Sequence, residues 1–260
     1  MHAHPGGVVD AARLLRSLHS APDGVAPGRL SRMPALLFTQ SWSSAIEARL
    51  GGLQAAGYRR DGRGLLLARS WPAPRQCHAA HRYWRLVSHF LGEDAPFPWE
   101  LHLRIAPARG AEARARLAAR GLRSGAFVAL CPFSGADDSR GLKLWPGFAA
   151  LAQRLAGRGL ATVVCPGPGE ELAAQQRFPG AVLLPGLPLG TYAAVLREAR
   201  VVVANDTGPA HLAAAAGAAV VGVYGPRSTG TWVPIGPRVR VLHTQRGWSA
   251  VDQVLEAALR

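Results

Sequence analysis

Seven consecutive residues, Asn205-Asp206-Thr207-Gly208-Pro209-Ala210-His211, bring a carboxylate, a hydroxyl, an imidazole and an unsubstituted backbone together. They follow the apolar run Val201-Val202-Val203-Ala204, which reads as a buried strand. They open the small-residue run Leu212-Ala213-Ala214-Ala215-Ala216, which reads as a helix closing at Gly217. Thr207 or Gly208 suits the helix cap and Pro209 the first helical position, where no backbone donor is needed. A helix start offers free N–H groups and the positive end of a dipole, and so attracts phosphate. His211 falls in the first turn, within reach of the same anion, and Asp206 can accept hydrogen bonds from sugar hydroxyls. The chemistry implied is the holding of a nucleotide diphosphate, with a sugar attached, at a strand-to-helix turn.

Three other loops also follow strand ends and should converge on the same place. In the first, Pro132-Phe133-Ser134-Gly135 runs on to Lys143-Leu144-Trp145-Pro146. The small Ser134 and Gly135 let a backbone approach phosphate, and Lys143, the only lysine in the chain, can neutralise one. An ordinary loop with a solvated lysine would look the same. In Gly167-Pro168-Gly169-Glu170-Glu171, Glu170 heads a helix after a strand. It is placed either to accept both ribose hydroxyls of a nucleotide or simply to cap that helix. The stretch from Gly225 to Pro234 either closes over a ligand or forms a surface loop held by Trp232. No Walker loop is present, and no Gly-x-Gly-x-x-Gly lies at a strand-to-helix turn, which argues against a dinucleotide oxidoreductase.

The elements that must position these loops alternate regularly. Helices are expected over residues 111–120, 170–177 and 191–199, with another starting at Pro146. Strands are expected over residues 127–131, 161–165, 181–184, 201–204, 219–224 and 238–242. Ser249 is the expected cap of a final helix, with Asp252 approximating a capping box. Such alternation implies a parallel sheet covered on both faces, with ligands beyond the carboxyl ends of its strands. The first half is less regular. It has helices over residues 8–19 and 78–91, a short strand over 35–39 and a helix ending near Gly51-Gly52. A turn is expected over residues 57–62 and a strand over 65–68. The proline-bearing stretch 92–110 marks a junction, giving domains 1–105 and 106–260.

With 260 residues, 48% of them apolar and 18% charged, the chain has the composition of a globular protein large enough for two domains. No apolar run is long enough to span a membrane, and no signal-peptide pattern opens the sequence. The net charge of +14 comes almost wholly from scattered arginines, without a basic block or aromatic-interleaved module, which argues against nucleic acid as a partner. Such a surface suits an anionic membrane face or a phosphorylated glycolipid. Cys77, Cys131 and Cys165 have no metal or redox spacing; the last two end apolar strands and read as buried free thiols, in keeping with a reducing cytoplasm.

Taken together, Lys143-Leu-Trp145-Pro146, Gly167-x-x-Glu170, Asp206-Thr207-Gly208-Pro209-x-His211-Leu-Ala-Ala and Tyr224-Gly225-Pro226 resemble the ADP-heptose:lipopolysaccharide heptosyltransferases, glycosyltransferase family 9. In the first half, Gln40-Ser41-Trp42-Ser43-Ser44-Ala45, Gly57-Tyr58-Arg59-Arg60-Asp61-Gly62-Arg63 and His81-x-Tyr83 are similar to the heptosyltransferase II branch. The resemblance implies a GT-B fold: two Rossmann-like domains facing a cleft, with the last helix crossing back. It implies inverting, metal-independent transfer of heptose from ADP-heptose to a lipid A-core acceptor, with no cofactor. The place would be the cytoplasmic face of the inner membrane, with peripheral contact. Carried to this sequence, Lys143 meets phosphate, Glu170 the ribose, and Asp206, Thr207, Gly208 and His211 the diphosphate and sugar. Asp137-Asp138 is adjacent, not the spaced Asp-x-Asp of a metal site.

The sequence departs from the family pattern at its start. Family members open with a strand, a glycine-rich turn and further βα units that carry the acidic residue expected to act as general base. Asp10 lies on the wrong segment and Asp61 has no supporting pattern, so no base is assigned and the N-terminal domain is expected to be incomplete. The alternative is a non-catalytic ADP-sugar-binding remnant or fragment. A nucleotide-sugar epimerase would need acidic and histidine groups around the donor C2, which the sequence does not supply.

Overall fold

A computed structural model describes residues 11–13, 33–134, 144–226, 228 and 230–260. The chain divides into two compact units, Met1–Phe97 and Pro98–Arg260. Of the helix expected over residues 8–19, only residues 11–13 are described, and they are helical. Gly135, Asp137, Asp138 and Lys143 lie outside the described residues.

The first unit holds β1 (Pro34–Leu37), α1 (Trp42–Leu50), β2 (Gln54–Arg59), a 3-10 turn (Arg63–Leu66), β3 (Arg69–Pro72) and α2 (Ala79–Leu91). The strands form one parallel sheet in the order β1-β2-β3. Ser41 starts α1 by accepting the Ser44 N–H at 3.3 Å, and the helix buries Ala45 and Ala48. Two expectations fail in this unit. Residues 57–59 are not a turn: Gly57-Tyr58-Arg59 completes β2, and the reversal is confined to Asp61 and Gly62, with φ of 49° and 80°. Paired arginines and a flanking glycine hid the strand, but Tyr58 is a core residue whose hydroxyl donates to the Arg82 carbonyl at 2.6 Å. Residues 65–68 are not a strand either. Leu65 is 86% exposed on the 3-10 turn, and pairing falls to Arg69–Pro72 through the Ala56–Arg69 register. Trp71 stacks there on His89 and carries the Arg69 guanidinium over its own ring, a stabilisation that a three-leucine run cannot signal.

The second unit contains α3 (Pro107–Ala118), β4 (Phe127–Cys131), α4 (Phe148–Ala156), β5 (Ala161–Val164), α5 (Glu171–Arg177) and β6 (Val182–Leu183). It continues through α6 (Leu189–Glu198), β7 (Val201–Ala204), α7 (Gly208–Ala215), β8 (Val220–Tyr224), β9 (Val239–His243) and α8 (Val251–Leu259). All six strands are parallel, in the order β6-β5-β4-β7-β8-β9. This is the α/β architecture expected from the alternation. The strands read as continuous apolar runs because both sheet faces are covered. Phe127, Ala129, Val202 and Ala204 turn to the side packed by α3, α6 and α7. Val128, Leu130, Val201 and Val203 turn to the side packed by α4, α5 and α8. The chain order reverses between β4 and β7, and at such a switch point a crevice opens beyond the strand ends.

The last helix starts one residue later than expected. Ala250 is its cap, and the Gln253 side chain, not Asp252, accepts the cap N–H, at 3.0 Å. Ser249 is buried and its carbonyl accepts from the Trp145 indole at 3.0 Å, while Asp252 pairs with Arg154 at 2.8 Å.

Candidate functional site

At the switch point the first residue beyond β7 is Asn205, with 0% of its surface exposed. Its Oδ1 accepts the Trp145 N–H at 2.9 Å, and its Nδ2 donates to the Pro132 carbonyl at 3.0 Å. One amide thereby ties the turn after β4, the approach to α4 and the turn after β7. Trp145, itself fully buried, donates its Nε1–H to the Ser249 carbonyl at 3.0 Å and meets Phe148 edge-on at 5.1 Å. Gly147 has to be glycine, because a Cβ there would stand 2.3 Å from the Trp145 ring. The elements that flank the crevice are therefore pinned from beneath by buried hydrogen bonds and close packing.

Above this anchor lies a cavity of about 460 Å³, bordered by the ends of β4, β5 and β7 and the starts of α6 and α7. Ser134, Glu170, Asp206, Thr207 and Gly208 all line it, so three of the four expected loops, separated by up to 74 positions in sequence, converge there, while no residue of the stretch from Gly225 to Pro234 is part of the lining. Glu170 is half-buried, and its Oε2 accepts the Gly167 N–H at 2.8 Å. That bond fixes the carboxylate against its own loop and leaves the second oxygen for another donor. Thr207 is the cap residue of α7 in extended conformation, with no side-chain bond to the helix start. Asp206 accepts the Ser228 hydroxyl at 3.1 Å, which brings the loop after β8 to the site. His211 sits half-buried as the fourth residue of α7 and does not line the cavity. Trp232, proposed from sequence to hold the loop after β8, is 55% exposed.

Sequence reasoning passed over Asn205 and the far wall of the cavity, where Cys131, Cys165, Leu187 and Tyr192 lie. The two cysteines, which the sequence reads as buried free thiols, stand at carboxyl ends of neighbouring strands, the place where α/β sheets bind ligands. Cys131 Sγ lies 3.3 Å from the Tyr192 hydroxyl. Burial pushes the Cys131 thiol up to about 11, an effect that the contact with Tyr192 opposes. Burial, reinforced by Cys131, raises Cys165 beyond the usual thiol range. Tyr192 and Tyr224 are also raised by burial, the second further by neighbouring Asp206. Thiols and phenols in and around the cavity thus stay neutral at physiological pH. Among the described residues, no three His, Cys, Asp or Glu side chains group so as to hold a metal ion, and no helix is long and apolar enough to cross a membrane.

A crevice at a Rossmann switch point with this set of side chains directs attention to nucleotide-sugar enzymes, and residues 34–256 match glycosyltransferase family 9 (heptosyltransferase). The chain belongs to this family. It is accordingly a glycosyltransferase of heptosyltransferase type. No curated protein matches the sequence. Among solved structures, a family 9 glycosyl transferase from Veillonella parvula superposes with a TM-score of 0.76 at 18% identity, covering 100% of this chain and 79% of its own. The E. coli ADP-heptose lps heptosyltransferase II gives 0.66 at 21% identity, over 96% of this chain and 80% of its own. The E. coli heptosyltransferase WaaC, solved with ADP, gives 0.66 at 24% identity, over 96% and 77%. At these identities the likeness is one of fold, and it supports the GT-B-like α/β assignment.

Proposed function

We propose that the protein transfers heptose from ADP-heptose to the lipopolysaccharide inner core by an inverting, metal-independent displacement. The second unit takes the donor and the first the lipid A-core acceptor, at the cytoplasmic face of the inner membrane. The observation that carries this reading is the convergence of Glu170, Asp206, Thr207 and Gly208 on one cavity at the switch point of a parallel sheet. In this reading the free oxygen of Glu170 accepts the ribose hydroxyls, and the start of α7 meets the diphosphate with its backbone amides. Asp206, steadied by Ser228, accepts hydroxyls of the sugar. In the same reading Lys143 and His211 serve the phosphates, and Ser134 contributes to the cavity lining. As the bond to the sugar breaks, negative charge grows on the departing diphosphate. Fixed donors aimed at that position stabilise it without reorganisation, to the extent of several kcal/mol in typical cases, roughly 3 to 4 for a single donor.

Family membership and the ADP-bound relative of the same fold support the choice of donor. The test is to mix the purified protein with ADP-heptose and a heptose-deficient core acceptor, with and without EDTA, and to follow acceptor mass and ADP release. A mass gain of one heptose, unaffected by EDTA, is the expected result. Calorimetric binding of ADP without any transfer would instead identify a non-catalytic ADP-sugar binder.

A further inference from the structure

We propose that Tyr192, supported by Cys131, is the residue through which the donor site selects its nucleobase. The proposal rests on the reading of the cavity as a nucleotide-sugar site and adds to it what recognises the base. With phosphate placed at the start of α7 and ribose at Glu170, the rest of the lining includes Cys131, Phe133, Cys165, Pro166, Leu187 and Tyr192. Its side chains are apolar or soft except for the Tyr192 hydroxyl, so a flat heteroaromatic ring fits it and this hydroxyl is the side-chain group placed to read that ring's polar edge.

Tyr192 is positioned for such reading. It is the fourth residue of α6, and its neighbour Thr191 is completely buried and donates its hydroxyl to Glu112 of α3 at 2.7 Å. Glu112 is itself held by Arg109 and Arg116 at 2.9 and 3.0 Å, so α6 cannot rotate to withdraw the ring without breaking a connected set of bonds. Among the described residues, the hydrogen-bonding partner of the hydroxyl is the Cys131 sulfur, a weak one. It therefore retains capacity for a stronger bond from or to a base edge, while the thiol fixes its direction. Burial keeps phenol and thiol uncharged, so discrimination at this wall follows hydrogen-bond pattern and not charge. A site built to bond a ligand's polar edge rejects a ligand that leaves the site's own group unpaired.

The test measures binding of ADP, GDP, UDP and CDP, and of inorganic pyrophosphate as a base-free probe, to the unmodified protein, Tyr192→Phe and Cys131→Ala. Tyr192→Phe removes one oxygen and keeps the ring. It is expected to weaken ADP binding about three- to tenfold, the loss typical of one neutral hydrogen bond. The other three diphosphates should change less, so that the preference for ADP narrows, and pyrophosphate should bind as before. Cys131→Ala should narrow the preference in the same direction and by less. An ADP preference in Tyr192→Phe that stays within twofold of the unmodified protein would overturn the proposal, as would equal losses of ADP and pyrophosphate. Failure of the unmodified protein to bind any nucleoside diphosphate would instead remove the donor-site reading itself.

Discussion

Removing the Asn205 side chain should be the most damaging single change to the second unit that leaves its apolar core untouched. In Asn205→Ala the Trp145 N–H and the Pro132 carbonyl lose the buried amide that they meet at 2.9 and 3.0 Å in the native protein. Each stranded buried group costs about 1–3 kcal/mol. The expected loss is about 3–4 kcal/mol, a large part of the roughly 5–15 kcal/mol that holds a domain folded. Urea denaturation followed by tryptophan fluorescence should show a lower midpoint with an unchanged slope. Because Pro132 and the residues after it line the cavity, ADP affinity should fall at least about tenfold in the protein that remains folded, in keeping with the sensitivity of bound geometry to small displacements. Asn205→Asp keeps an acceptor for Trp145 but points a carboxylate oxygen at the Pro132 carbonyl, so it should not rescue either property. A loss below about 1 kcal/mol in Asn205→Ala, the level of an ordinary exposed substitution, would show that the amide does not tie the loops together.

Other expectations follow from the same geometry. Gly147→Ala drives a methyl to 2.3 Å from the Trp145 ring and should cost about 1–3 kcal/mol by overpacking, measurable by thermal denaturation together with a loss of near-ultraviolet dichroism. Glu112 is held below the usual carboxylate range first by the Thr191 hydroxyl and then by Arg109. Its contribution to stability is thus present above the unfolded-state value of about 4.3 and lost as pH falls through the lower folded value. Glu112→Gln should therefore be less stable than the native protein at neutral pH, with the difference closing in acid, as denaturation midpoints across pH 3–7 will show. Cys131, with its thiol pushed up to about 11, should alkylate far more slowly at pH 8 than the partly exposed Cys77. Added ADP should slow Cys131 and leave Cys77 unchanged, as peptide mass mapping of the labelled protein can report.

Much of the second unit was legible because its strands obey a simple physical rule. Apolar runs such as Phe127–Cys131 and Val201–Ala204, each followed by a turn and a helix, have few ways to fold other than as a doubly covered parallel sheet. The position of Glu170, Asp206, Thr207 and Gly208 followed from that topology, since strand ends on one side of a parallel sheet must meet. What stayed hidden depended on side-chain partners distant in sequence. Nothing local to Asn205 announces that it bonds Trp145, 60 positions away, or that the Trp145 indole reaches Ser249, 104 positions away. Cys131 and Tyr192 meet across 61 positions in the same manner. In the first unit, β2 was obscured because Tyr58 is buried and bonded to α2 rather than marked by a periodic apolar pattern.

The central claim is that the crevice beyond β4, β5 and β7 holds the ADP portion of an ADP-sugar, with Glu170 on the ribose. Calorimetric titration of ADP into the native protein and into Glu170→Ala tests it most directly. The account predicts a single saturable site in the native protein, weakened about ten- to a hundredfold in the variant, the range expected for losing hydrogen bonds to a carboxylate. Equal affinity for ADP in the two proteins, or no binding by the native one, would contradict it.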